Sequence, residues 1–185
     1  MTKRALLVMV LVAALTGGVF AQNWYDSYAD GIDGSMALIN GGIGLGTTGG
    51  YSRGIPPISA SVDFLLPIDL PITVGVIGTL STWKYSPYYS SNYSVTYRNI
   101  GIGGRGMYHF NFIENLDVYT GLTLGYVIQN ATVSGEYGGT YTGSSFFLFG
   151  FNIGARYFFT DLLGAYAEIG WSGLQFASIG VSLKF

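Results

Sequence analysis

The chain has 185 residues, 49% of them hydrophobic, 16% aromatic and only 10% charged, with 29 glycines and no cysteine. A water-soluble surface needs roughly 25 to 35% charged residues, so this composition excludes an ordinary soluble domain, and the missing cysteines exclude a disulfide framework or a lipid-attachment site. The formal charge of −2 leaves no basic surplus for nucleic acid as a partner.

Lys3 and Arg4 precede an apolar stretch over 5–15, followed by Gly17, Gly18 and Val19-Phe20-Ala21. This is the charge, core and small-residue pattern of a secretory signal peptide, so residues 1–21 are expected to be removed after Ala21. The apolar core is shorter than the roughly 20 residues of a membrane helix, and no later window offers such a span. Loss of Lys3 and Arg4 from eight basic residues leaves six against ten acidic ones, a formal charge of −4. Residues 22–34, with Trp24, Tyr25, Asp26, Asp30 and Asp33, read as an N-terminal segment, and 35–185 as one domain.

Eight segments then alternate with period 2, which describes strands with one apolar and one polar face. The first, over 36–46, sets Ile39, Ile43 and Leu45 outward against Asn40, Gly42 and Gly44. The second sets Ile58, Ala60, Val62, Phe64 and Leu66 against Ser59, Ser61 and Asp63, and ends in the prolines at 67 and 71. The third sets Ile72, Val74, Val76 and Leu80 against Thr73, Gly75, Thr79 and Ser81. The fourth has Ile100, Ile102, Tyr108 and Phe110 outward and Asn99, Arg105 and His109 inward, with a turn over 111–115. The fifth places Leu116, Val118, Leu122, Leu124, Tyr126 and Ile128 opposite Asp117, Tyr119, Thr123 and Gln129. The sixth carries Phe147, Phe149, Phe151, Ile153, Tyr157 and Phe159 opposite Gly150, Asn152 and Arg156. The seventh carries Leu163, Ala165, Ala167, Ile169 and Trp171 opposite Tyr166 and Glu168. The eighth has Ala177, Ile179, Val181, Leu183 and Phe185 outward and Ser178, Gly180, Ser182 and Lys184 inward. Each is about 10 to 15 residues, enough for a tilted strand to cross a membrane.

The closing run, with apolar Ile179, Val181 and Leu183 before a terminal Phe185, resembles the insertion signal of bacterial outer-membrane β-barrels. Strand number and loop alternation likewise resemble the OmpA and OmpX group of small barrels across the whole mature chain. The resemblance implies an all-β, eight-stranded antiparallel up-and-down transmembrane barrel in the bacterial outer membrane. Its implied partners are outer-membrane lipid and, during insertion, periplasmic chaperones and the barrel-assembly machinery; the expected state is a monomer. Members of that group serve as structural envelope proteins, adhesins or resistance factors, and a few similar barrels modify lipid A.

Short turns at 67–71, 111–115 and 160–162 alternate with long connections at 83–94 and 130–144. Since outer-membrane barrels have short periplasmic turns and longer outside loops, both termini are expected in the periplasm. Aromatic residues then form two girdles: Phe64, Tyr108, Phe110, Tyr157, Phe159 and Phe185 on the periplasmic side, and Trp83, Tyr126, Phe147 and Trp171 on the outer side.

Eight strands leave an interior just wide enough for side chains to fill. The inward set includes Asp63, Arg105, His109, Asp117, Asn152, Arg156, Glu168 and Lys184, and mixed buried charges are normally paired. The expected lumen is therefore a bonded polar plug, with Glu168 paired to Arg105 or Arg156. The alternative is a narrow porin-like channel whose selectivity Arg105, Arg156, Lys184 and Glu168 set.

Enzymatic chemistry has little support, and no cofactor or metal is expected. His109 is the only histidine, which excludes a multi-histidine metal site. Gly101 to Gly106 and Gly44 to Gly49 both satisfy G-x-G-x-x-G, but neither opens a helix after a strand. Asn92-Tyr93-Ser94 and Asn130-Ala131-Thr132 match glycosylation acceptors without meaning in a bacterial envelope. The outer loops are more suggestive. Tyr85, Tyr88, Tyr89, Tyr93 and Tyr97 are interspersed with Ser86, Ser90, Ser91 and Ser94, and Tyr137 and Tyr141 repeat the theme beside Ser144 and Ser145. Tyrosine and serine make adaptable contact surfaces at low ordering cost, so these loops are candidates to recognise an extracellular protein or glycan.

Overall fold

Apolar residues at every second position form an outer wall, and in lipid such a wall must close on itself because an unpaired strand edge has no water to bond. A computed structural model of the chain describes residues 37–46, 54–68, 70–86, 94–135, 138–171 and 174–185. It places nine antiparallel strands there: β1 (Ala37–Gly46), β2 (Ile58–Leu65), β3 (Ile72–Tyr85), β4 (Ser94–Ile113), β5 (Leu116–Ser134), β6 (Gly139–Thr142), β7 (Phe146–Phe158), β8 (Leu163–Trp171) and β9 (Gln175–Lys184). The signal-peptide and 22–34 readings, and Tyr88, Tyr89, Tyr93 and Tyr137, lie outside the described residues.

Eight of the strands close a ring in the order β1-β2-β3-β4-β5-β7-β8-β9, with β9 returning to β1. The closing seam runs from Gly46 opposite Gln175, through a register shift after Leu45, down to Leu38 opposite Lys184. It ends in reciprocal backbone bonds between Ala37 and Phe185, at 3.1 and 2.9 Å. Outward apolar side chains are exposed or partly exposed, from Ile39 and Ile43 on β1 to Ile179 and Val181 on β9. Most inward side chains are buried. At one end, called here the turn end, Asn115 adopts φ 64°, and Thr160 Oγ1 accepts hydrogen bonds from the Leu162 and Leu163 amides. The opposite end, the loop end, carries the longer connections.

Aromatic side chains group at both heights of the wall. Tyr108 packs on Phe110 and Tyr157 on Phe159 towards the turn end, with ring centroids 4.8 and 5.9 Å apart. Tyr126 meets Phe147 edge-on at 5.3 Å nearer the loop end.

Four expectations change. The 83–94 connection contracts, because β3 continues to Tyr85 and β4 starts at Ser94, pairing Trp83 with Tyr97 and Tyr85 with Val95. β-Branched and aromatic residues sustain the ladder beyond the apolar belt there. Trp83 therefore does not belong to the lipid-facing girdle: it shares the inward parity of Thr79 and Ser81 and stacks on Tyr97 at 3.9 Å. The 130–144 connection is partly a hairpin, since β6 pairs with β5 above the ring, Tyr141 opposite Ala131. The 111–115 turn shortens to Glu114 and Asn115, because a bulge between Asn111 and Ile113 lets pairing continue to Leu116.

Candidate functional site: the polar lumen

Inward alternation delivers a set of polar side chains to the narrow interior of the ring, where burial favours pairing within the protein. Most of the charged ones pair in two clusters, while Thr123 Oγ1 and Asn152 Oδ1 are buried without a hydrogen bond. Nearer the turn end, Arg156 is the direct cross-strand neighbour of Asp117, and its Nη1 donates to Asp117 Oδ2 at 2.9 Å. The other carboxylate oxygen, Oδ1, lies 2.8 Å from His109 Nδ1. On the far side of the imidazole, Nε2 is 2.9 Å from Thr73 Oγ1. A carboxylate only accepts, so Nδ1 carries the hydrogen shared with Asp117. The Arg156 guanidinium also lies 4.8 Å over the Tyr119 ring. That ring in turn lies across Gly154, its partner on β7, where a Cβ would collide with it.

Towards the middle of the lumen, Arg105 stands between two carboxylates. Its Nη2 is 3.4 Å from Glu168 Oε1, and its Nε is 3.2 Å from Asp63 Oδ1. The second contact is an ion pair without hydrogen-bond alignment. Amides complete both ends. Asn152 Nδ2 donates to Glu168 Oε1, while Asn40 Nδ2 donates to Asp63 Oδ2 and to Ser61 Oγ, each at 2.9 Å. Ser182 Oγ donates to Asn40 Oδ1 at 2.6 Å, which ties β9 to β1 across the closing seam. A smaller polar group, Gln129 to Asn99 to Ser81, lies nearer the loop end.

Seven of the eight lumen residues read from the sequence thus enter these two clusters. Lys184 lies at the turn end, its ammonium 4.8 Å over the Phe158 ring. Of the two pairings considered for Glu168, the geometry contains the one with Arg105, while Arg156 serves Asp117. Asn40, Ser61, Thr73 and Ser182 complete the clusters although no charge marks them; their inward parity was the available signal. Tyr85 and Tyr141 are exposed at the loop end. Ile179, Val181 and Leu183 line the outer wall opposite Ile43, Gly41 and Ile39.

Thr73, His109 and Asp117 have the spacing of a nucleophile, a base and an orienting acid. All three are at most 2% exposed, so no substrate reaches the hydroxyl, and Asp117 is already engaged by Arg156. The arrangement binds strands β3, β4, β5 and β7 together. Among the described residues, no cluster of three or more metal-ligating side chains occurs.

A closed ring of eight antiparallel strands with an apolar wall and a side-chain-filled polar interior defines a small transmembrane β-barrel of the outer-membrane type. Among solved structures the chain is similar to Neisserial surface protein A, at 16% identity and a TM-score of 0.52, over 81% of this chain and 95% of that one. It is also similar to Ail, the attachment invasion locus protein of Yersinia pestis, at 14% identity and a TM-score of 0.45, over 81% and 93% of the two chains. No protein-family model matches the sequence, and no curated protein matches it.

Proposed function

We propose that the protein is a monomeric, non-enzymatic barrel of the bacterial outer membrane, with a plugged lumen and a structural or surface-interaction role. The observation that carries this reading is the pair of buried ion clusters, in which Asp63, Arg105, Asp117 and Arg156 are each at most 5% exposed. Buried charges in such contact brace a wall; a conducting path needs polar groups in contact with water.

In this reading the signal peptide ends at Ala21, residues 22–34 stay in the periplasm with both termini, and the Ile179, Val181, Leu183, Phe185 series addresses the chain to the barrel-assembly machinery. The loop end then faces outward and presents the tyrosines at 85, 88, 89, 93, 137 and 141 to a protein or glycan. Tyr141, 56% exposed on the β5–β6 hairpin, supports that role.

Planar-bilayer recording of refolded mature protein tests the plug, with folding checked by the shift in gel mobility on boiling. A silent membrane is expected. Discrete openings that change in Glu168→Gln would replace this reading with the narrow channel. Replacing Tyr88, Tyr89 and Tyr93 together by serine is expected to abolish host-protein or glycan binding without altering the mobility shift. Unchanged binding would remove the recognition role.

A further inference from the structure

The lumen contains two apolar layers that bracket the ion clusters. At the loop end, Val127 of β5, Leu148 of β7 and Leu174 of the β8–β9 connection form one buried cluster. It spans the barrel. A Cβ built on Gly101 of β4 would lie 3.6 Å from Val127 Cγ2 and 3.7 Å from Leu174 Cδ1, and β4 stands four places from β9 in a ring of eight. Leu174, just before β9, thus reaches the strand diametrically opposite β9, into the room that glycine leaves. At the turn end, Leu38 of β1 meets Phe158 of β7, with Leu65 packed against them. Both lumen-facing residues are nearly inaccessible, at 3% and 1%.

An ion that meets the Arg105 cluster finds charged and amide groups able to replace part of its hydration. At an apolar constriction it finds none, and water itself withdraws from such a constriction. The consequences of removing each feature therefore differ. Without Arg105, the middle of the lumen keeps its apolar covers and stays dry. Without the covers, the ion clusters are open to solvent.

On the plugged-lumen reading, we infer that the barrier to water and ions is the apolar pair of layers, with Val127, Leu148 and Leu174 sealing the loop end and Leu38 and Phe158 the turn end, and that the ion pairs brace the wall without forming the seal. Because the layers act in series, opening one admits reagents without producing a through-path.

The absence of cysteine allows a direct test. Thr123 points inward between the layers and is 1% exposed, so Thr123→Cys places a single thiol there. The refolded protein in lipid vesicles is treated with a charged methanethiosulfonate reagent, and folding is verified by gel mobility. Adding Leu148→Ser and Leu174→Ser is expected to raise the labelling rate at least tenfold, while Arg105→Met, which removes the charge but keeps the bulk, is expected to leave it within twofold. Should the double variant fail to refold, Leu174→Ser alone, outside the strand ladders, and Phe158→Ser at the other end carry the same expectation. Acceleration by Arg105→Met with none from the leucine and phenylalanine variants would overturn the inference while leaving a silent, plugged parent intact. Spontaneous conductance of the unsubstituted protein would overturn the plugged reading and this inference with it.

Discussion

The two ion clusters of the lumen are built on different geometric terms. Asp117 takes its donors from the two strands beside its own, and the contacts with His109 on β4 and Arg156 on β7 are 2.8 and 2.9 Å. Arg156 stands directly opposite Asp117 in the ladder, and His109, opposite Tyr119, reaches it on the diagonal. Arg105 instead reaches past a neighbouring strand to Asp63 on β2 and across the interior to Glu168 on β8, and its contacts are 3.2 and 3.4 Å. Neighbouring strands supply short, aligned bonds, whereas a brace across the lumen depends on side-chain length and settles for looser ones. The Arg105 cluster compensates with amides, since Asn40 and Asn152 each hold one of its carboxylates.

The largest loss is therefore expected from Asp117→Ala. It leaves the fully buried Arg156 guanidinium with the Tyr119 ring and no anion, and breaking a buried pair in this way costs about 3–5 kcal/mol. Urea unfolding in phospholipid vesicles would measure it. Arg105→Met also breaks buried ion pairs, but Asp63 and Glu168 keep their amide donors, so its loss should fall at the low end of the same range, about 3 kcal/mol. If the two variants lose the same stability, the distinction between register-built and lumen-crossing clusters fails.

Asn40→Ala sharpens the comparison from the other side. Its amide serves Asp63 and Ser61, and its carbonyl accepts from Ser182. A loss of about 1–3 kcal/mol is expected for the groups left unsatisfied, and the closing seam between β1 and β9 should open first. Hydrogen exchange at the amides of Ile39 and Leu183, paired across that seam, would show whether it does.

The wall was legible from the sequence because its signal is local: alternation on β5 from Leu116 to Ile128 identifies both faces without knowledge of any partner. The strand ends were less so. Trp83 reads as a girdle residue and Tyr97 as a loop tyrosine when each is taken alone, and only their pairing makes them a ladder rung. Inward parity identified the charged residues of the lumen, but which charge meets which depends on the stagger of all eight strands. Asp117 and Arg156 are joined through a long connection whose length leaves the register open, so Arg156 could be matched to Glu168 as readily as to Asp117. The apolar lumen residues escaped notice for a related reason. Val127, Leu148 and Phe158 sit at inward parity, where a search for polar partners passes over them.

The smallest effect concerns Thr73. Its hydroxyl completes a chain from Thr73 through His109 to Asp117 that has the distances of an acyl-transfer triad, yet lies in a lumen closed on the turn-end side by Leu38 and Phe158. If the chain is structural, Thr73→Val keeps the side-chain volume but leaves His109 Nε2 without its partner, costing about 1 kcal/mol, the low end for one buried neutral group left unsatisfied. The Arg156 bond to Asp117 does not pass through the hydroxyl, so the cost should not grow when the change is combined with Arg105→Met. Additivity of the two variants in urea unfolding would show that the clusters are independent braces. A coupling above about 0.5 kcal/mol would mean that they act as one network through the lumen.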